Sequence, residues 1–282
     1  MSRIRYGAYA GGFNKKPIEV IKAVKEMGFD LLEVSVGEKT PDNPKELRRR
    51  LEDAGLGVIA STGCPADKDL TSEDSKARRK GVDFMKMCVD ATAELGASHM
   101  VGLLYSTAGR TLKTLPDERY ARWAAEGLKE VAIHARQCKL TLGFETVNHY
   151  ETIINNTVDQ AIKFREMVGE PNLMIHLDTF HMNLEEESLY EATKKALPYC
   201  CHYHFAEGNR GQVGKGTVDW HGVYRALAEG NYTGTATLEA FADAPLDFRV
   251  LFHLWRRFGA STEESLREGL EFVKRMEVEH YK

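Results

Sequence analysis

Four side chains stand out because each closes an apolar run: Glu145 in GFETVN, Asp178 in IHLDTFH, His204 in HYHFAEGNRG and Glu239 in TLEAF. Their separations are 33, 26 and 35 residues, each the length of one strand-helix unit. If the runs are strands, period-two alternation puts Gly143 with Glu145, His176 with Asp178, His202 with His204, and Thr237 with Glu239 on one face. Consecutive strands of a barrel would then gather all four at its C-terminal mouth, where barrel enzymes keep their chemistry. Three carboxylates and one imidazole suit a hard or borderline divalent ion such as Mn2+, Mg2+ or Co2+, whereas zinc takes more nitrogen or sulfur. Four protein ligands leave about two positions of an octahedral shell for water or for neighbouring substrate oxygens. Any one of these residues reads equally well as a structural ion pair or a satisfied core histidine; the argument lies in the convergence of four.

The elements that must position them show as a repeated phrase, an amphipathic helix that ends at glycine and is followed by an apolar run. It occurs as VIKAVKEMGFDLLEVSV around Gly28, LRRRLEDAGLGVIAST around Gly55, CVDATAELGASHMVGLL around Gly96 and VYRALAEGNYTGTATLEAF around Gly230. Glycine just past a helix readily takes the left-handed conformation, so each phrase predicts helix, left-handed cap, short loop and strand. Two further junctions carry proline, Pro171 before NLMIHLDT and Pro198 before YCCHYHFAE, where a helix is expected to stop. Helix starts are marked by Asn43 with Glu46, Thr157 with Gln160 and Ser261 with Glu264, and Pro44 stands at a first helical position. Strands are predicted at 3–8, 31–36, 57–62, 99–104, 140–147, 172–179, 200–207 and 234–241. Their runs are continuously apolar, as in parallel strands covered by helices. The prediction is an α/β protein, a single (β/α)8 TIM barrel domain over residues 1–282. An open dinucleotide-binding sheet is disfavoured, because YAGGFNKKP after the first strand is not GxGxxG and no P-loop follows any strand.

Composition narrows the partners. With 38 Lys+Arg against 42 Asp+Glu, both signs interspersed, the chain has no basic stripe for nucleic acid. The longest stretch without a charged residue, Leu95 to Gly109, is shorter than the ~20 residues that span a bilayer, so no membrane partner is expected. MSRIRYGAYAGGFNKK lacks the apolar region of an export signal, which makes the cytoplasm the expected compartment. The five cysteines form no CxxC pair and read as reduced, buried thiols.

The stretches GFETVNHYE (143–151), HLDTFHMN (176–183), HYHFAEGNRG (202–211) and TLEAF (237–241), with GCPADKDL (63–70) as weaker support, resemble the ketose 3-epimerases of the D-tagatose 3-epimerase type. That group, with its D-psicose (allulose) and L-ribulose 3-epimerases, lies in the xylose-isomerase-like barrel superfamily, and the resemblance covers nearly the whole chain. It implies one divalent metal ion per subunit, Mn2+ ahead of Co2+ or Mg2+, on Glu145, Asp178, His204 and Glu239. It further implies Glu145 and Glu239 as the catalytic acid/base pair, substrate contacts from Glu151, His181 and Arg210, and a homodimer or homotetramer. The implied reaction is epimerisation of a free ketose at C3, with D-tagatose, D-fructose, D-psicose and L-ribulose as candidates. The chemistry is consistent, since inverting C3 requires a proton to leave beside the C2 carbonyl and another to return to the opposite face through a cis-enediolate. An aldose-ketose isomerase or an inosose dehydratase of the same superfamily is the alternative. An apurinic endonuclease would need additional histidines and a basic surface, against a net charge of −4 here; a non-catalytic sugar-binding barrel would bind without turnover.

Further expectations attach to single residues. Glu151 and His149 follow the fifth strand, the first assigned to substrate and the second to solvent. His181 is expected in a βα loop facing the mouth. Arg210 shares the loop GNRGQVGKG with Lys215, which reads as solvated, and the glycines suggest a backbone shaped around something. Tyr6, taken as a substrate contact, forms with Tyr9 and Tyr105 a candidate apolar wall for the far end of the sugar. Glu33 has the parity to hydrogen-bond a site residue. Trp123, Trp220 and Trp255 read as helical core or interface residues, and LFHLWRRF at 251–258 as a segment that closes over the barrel or meets another subunit. No helix terminus reads as a phosphate site, which favours an unphosphorylated sugar.

Overall fold

Each apolar run pairs with the next one along the chain, and the last pairs with the first. The computed structural model describes residues 3–38, 43–259 and 261–281. The first half comprises β1 (Arg5–Tyr9), α1 (Pro17–Met27), β2 (Leu31–Ser35), α2 (Pro44–Ala54), β3 (Gly57–Ser61), α3 (Ser75–Leu95), β4 (His99–Gly102) and α4 (Glu118–Gln137). The second comprises β5 (Thr141–Glu145), α5 (Val158–Val168), β6 (Leu173–Asp178), α6 (Thr179–Glu185), α7 (Leu189–Ala196), β7 (Cys200–Phe205), α8 (Trp220–Glu229) and β8 (Thr235–Leu238). After β8 come α9 (Leu246–Leu251) and α10 (Thr262–His280). All neighbouring strands are parallel, and β8 returns to β1 with Arg5 opposite Thr235 and Ala8 opposite Leu238, so the sheet closes into a barrel. All the predicted strands are present, with shifted ends. Among the described residues no helix is long and apolar enough to cross a membrane.

The junctions explain themselves locally. Gly28, Gly55 and Gly96 cap their helices at φ 89°, 64° and 78°, the left-handed conformation. Gly230 does not: its φ is −83°, and Asn231 takes the left-handed position at φ 50°. Glycine is needed there for close approach instead, since a Cβ would lie 2.3 Å from Leu197 Cδ1. Pro171 is not the stop signal either, because α5 already ends on left-handed Gly169 at φ 72°. Pro198 lies inside a 3-10 turn, Leu197–Tyr199, which prolongs α7. The predicted caps form, with Asn43 accepting from the amides of Lys45 and Glu46, Thr157 and Gln160 capping reciprocally, and Ser261 accepting from the Glu264 amide.

Inside the barrel Leu31, Ile59 and Val101 form an apolar cluster contributed by β2, β3 and β4. Gly7 is small because a Cβ there would lie 2.2 Å from Leu31 Cδ1, and Gly143 because one would lie 2.8 Å from Cys201 Sγ. On β2, β6 and β7 the inward positions toward the mouth are polar, with Glu33, His176, Asp178, His202 and His204 buried there. Outside the sheet Phe144, Tyr203, Phe205 and Val223 belong to the main core against the helices. Glu277 of α10 closes the ring of elements: its carboxylate accepts from the amides of Arg3 and Ile4 and from the Tyr6 hydroxyl.

Candidate active site

The mouth is assembled from the last residues of β5 to β8. Asp178 ends β6 and also caps α6, with one carboxylate oxygen accepting from the Phe180 amide at 2.8 Å. The helix therefore starts at once, and His181 lies in its first turn rather than in a loop, which corrects the expectation from sequence. His181 Nδ1 accepts from the Asn148 amide (3.2 Å) and lies 2.7 Å from Asn148 Nδ2, so Nε2 carries the hydrogen. That nitrogen lies 3.7 Å from Glu145 Oε1 and 3.6 Å from Asp178 Oδ2. Arg210 reaches the same space with Nη1 at 2.5 Å from Glu239 Oε2 and 3.3 Å from Asp178 Oδ2, its guanidinium stacked 3.7 Å over the Phe180 ring.

Arg210 owes its place to a residue the sequence did not single out. Glu207, fully buried, accepts from the amides of Gly208 and Gly214 at 3.1 Å and from Trp220 Nε1 at 2.6 Å. The glycine-rich loop is shaped around this carboxylate, since a Cβ on Gly216 would lie 2.1 Å from Glu207 Oε2. Arg210 itself is left-handed at φ 57°, where its side chain turns back over the mouth.

Glu145, Asp178 and His204 each offer a ligand atom, all within 4.8 Å of one another. Glu239 joins through Oε1, 3.2 Å from His204 Nδ1, while Arg210 holds its other oxygen. The donor set fits a divalent cation on one further observation: His204 Nδ1 is buried without a hydrogen-bond partner, although carboxylate oxygens of Glu239 and Glu145 lie 3.2 and 3.8 Å away. Without a cation, protons and Arg210 must balance these charges. Burial, reinforced by Asp178 and Glu239, pushes the Glu145 carboxyl well above the usual carboxylate range. Burial and the Glu239 charge push Asp178 up to about 7. Glu239 is buried too, yet Arg210 and His204 hold it below its ordinary value. For His204 the cost of burial is overcome by Glu33 and Glu239, which hold the imidazole well above its usual range. Burial and Arg210 hold His181 well below its own.

The cluster opens into a cavity of about 610 Å3. Glu151 lines it, fixed by Asn148 Nδ2 at 2.9 Å, as do His181, Arg210 and Tyr9. The opposite wall is mostly apolar, with Val36, Cys64, Phe84, Leu103, Phe248 and Phe252. Phe252 and the buried Leu254 thus bring part of the 251–258 segment against the barrel mouth. Tyr6 does not reach the cavity and is corrected here: it points between sheet and helices, its hydroxyl 3.1 Å from Tyr224 Oη and from Glu277 Oε2. The reason is parity, because Gly7 and Tyr9 take the inward positions of β1. Tyr105 is buried against Phe144 and Phe164 and donates to the Glu145 carbonyl at 3.0 Å, steadying the end of β5 rather than lining the cavity. His149 is exposed and bonded to Glu185, and Lys215 pairs with Glu268 at 2.7 Å. Trp220 is core and Trp123 is half-buried under Arg78, whereas Trp255 lies outside the helices and is 72% exposed.

Comparison with known proteins agrees with this geometry. The family described as "Xylose isomerase-like TIM barrel" matches residues 21–276. An L-ribulose 3-epimerase of Mesorhizobium japonicum is 32% identical over 251 residues, covering 88% of this chain and 84% of that protein. A ketose 3-epimerase of Arthrobacter globiformis is 31% identical over 283 residues, 96% of each chain. The crystal structure of a D-allulose 3-epimerase from Methylomonas sp. in complex with D-allulose superposes with a TM-score of 0.91 at 26% identity, covering 98% of each chain. Closed parallel barrel, convergent strand ends and extended sequence similarity together place the chain in the xylose isomerase-like TIM barrel family, among its ketose 3-epimerases.

Proposed function

We propose that this protein inverts C3 of a free ketose, a ketopentose or ketohexose such as L-ribulose, D-tagatose, D-fructose or D-psicose. The observation that carries the reading is the pair of glutamates from β5 and β8 beside His204, with Glu145 Oε1 and Glu239 Oε1 at 3.8 and 3.2 Å from its Nδ1. One glutamate takes the proton from C3, and the C–H electron pair moves into a C2–C3 double bond as the carbonyl oxygen becomes an enediolate. The other returns a proton to C3 from the opposite face, the carbonyl re-forms, and the two roles exchange for the reverse reaction. A divalent cation held by Glu145, Asp178, His204 and Glu239, with Mn2+ preferred and Co2+ or Mg2+ able to substitute, supplies positive charge that offsets the charge developing on the sugar oxygens.

Arg210 and His181 present N–H donors over the same space, and Glu151 presents an acceptor, a set suited to orienting sugar hydroxyls. Arg210 is the only Arg or Lys among the described residues lining the cavity, and it is committed to Glu239 and Asp178, which favours a free over a phosphorylated ketose. The relatives named L-ribulose 3-epimerase and ketose 3-epimerase support the same substrate class.

The deciding measurement is proton exchange by NMR in D2O with L-ribulose, D-tagatose and D-fructose. Deuterium at C3 with growth of the C3 epimer, lost with a chelator and restored by Mn2+, is the expected result. Label at C1 or C2 with an aldose appearing would make the protein an isomerase, and no exchange with any of the three would overturn the proposal.

A further inference from the structure

Behind His204 the barrel interior holds a polar chain that takes no part in moving the C3 proton. Thr235 Oγ1 lies 2.6 Å from His202 Nδ1, and His202 Nε2 lies 3.2 Å from Glu33 Oε2. Both oxygens of Glu33 lie 3.0 Å from His204 Nε2. Glu33 and His202 are fully buried, so no solvent satisfies them in place of these partners. Both Glu33 oxygens are equidistant from His204 Nε2, the arrangement of one N–H shared between two acceptor oxygens, and Oε2 faces His202 Nε2 as well. An ionised carboxylate only accepts, which obliges both facing nitrogens to carry hydrogen.

The consequences run both ways along the chain. With its hydrogen on Nε2 toward Glu33, His202 has its lone pair on Nδ1 and accepts there from the Thr235 hydroxyl. With Nε2 turned to Glu33, the nitrogen that His204 can offer a cation is Nδ1, the buried atom that faces Glu145 and Glu239 without a hydrogen bond. His176 packs edge-on to the His204 ring, centroids 4.1 Å apart at 82°, and limits its rotation.

We propose that Glu33 is a positioning residue that fixes the tautomer and aim of His204 for a divalent cation, with His202 and Thr235 orienting Glu33 from the far side. The proposal rests on the reading of Glu145, Asp178, His204 and Glu239 as a cation site. Partners of this kind on ligating histidines typically change metal affinity by about 10–100-fold when removed.

Glu33→Gln keeps the volume but replaces one acceptor oxygen with an NH2 donor, and because both oxygens lie 3.0 Å from His204 Nε2, either orientation of the amide sets that donor against the imidazole. Mn2+ affinity of the metal-stripped protein, read from free Mn2+ by EPR, is expected to fall about 10–100-fold in Glu33→Gln and by less in Thr235→Val. Histidine 15N shifts of the Mg2+-loaded protein are expected to show His204 protonated on Nε2 in the wild type and to lose that preference in Glu33→Gln. Thr235→Val, a near-isosteric change, carries the test if Glu33→Gln fails to fold. Unchanged Mn2+ affinity and an unchanged tautomer in a folded variant overturn the positioning role alone. A wild type that binds no divalent cation overturns the cation site and the positioning role together.

Discussion

The two halves of the barrel mouth are built from the same repeated unit, yet they meet the cavity differently. β5 and β6 end in Glu145 and Asp178, His204 is the next-to-last residue of β7, Glu239 directly follows β8, and His181 and Arg210 lie just beyond β6 and β7. The β1 to β4 half contributes Val36, Cys64 and Leu103 from its strand ends and loops and Phe84 from α3, with the hydroxyls of Ser35 and Ser61. The inward carboxylate of the first half, Glu33, turns toward the histidines of the second. Concentrating charge on one side lets carboxylates, imidazoles and guanidinium offset one another, while the apolar wall limits water and strengthens each of those interactions. Geometric symmetry of the scaffold therefore carries no symmetry of chemistry.

The sharpest way to break the comparison is a matched pair of variants. Glu239→Gln in the charged half should lower kcat by about 10²–10⁴-fold, the usual worth of a positioned acid or base. Leu103→Ala in the apolar half should chiefly raise KM. Steady-state kinetics on L-ribulose would separate the two, and equal losses of kcat would erase the division of labour. A smaller effect is expected from pH. Asp178 titrates at about 7 in the metal-free folded protein against an ordinary value near 4, so its proton contributes stability that is full below pH about 4 and lost as pH rises through about 7. Glu145 is shifted in the same direction. A cation held as proposed would take the place of these protons, so the Tm difference between Mn2+-loaded and metal-free protein should widen across that window. Comparing the two forms cancels buried histidines such as His176 and His202, whose low values shift stability the other way. A difference that stays flat with pH would remove the carboxylates from the cation site. The smallest effect tests the corrected position of Tyr6. Tyr6→Phe should cost about 1 kcal/mol in urea unfolding through the lost hydroxyl contacts and leave kcat/KM unchanged.

What the sequence made legible follows from periodicity. Alternation in β5 to β8 was enough to bring Glu145, Asp178, His204 and Glu239 to one mouth, because a strand offers a side chain only two directions. The same rule, extended to β1, turns Gly7 and Tyr9 inward and excludes Tyr6. The loops have no such period. Nothing in GNRGQVGKG predicts that Arg210 adopts a left-handed backbone, or that Glu207 is the group its glycines surround. Trp255 looked helical because LFHLWRRF is apolar at helical spacing, but α9 stops at Leu251 and leaves the indole exposed. Gly230 shows the converse, a glycine correctly found at a helix end but required by the nearness of Leu197 rather than by its own φ.

The pairing of β8 with β1 has a consequence for how the molecule comes into being. A ribosome makes the apolar half of the mouth first and the charged half afterwards, with Glu239 arriving on the final strand and Glu277 later still on the helix that ties down Arg3 and Ile4. Until that segment emerges, β1 and β7 are open edges available to other chains. A nascent chain halted before β8 already carries three of the four proposed ligand residues, yet it lacks both Glu239 and the strand that closes the ring. Under the proposed mechanism, catalytic competence is reached only once β8 has paired with β1 and closed the ring.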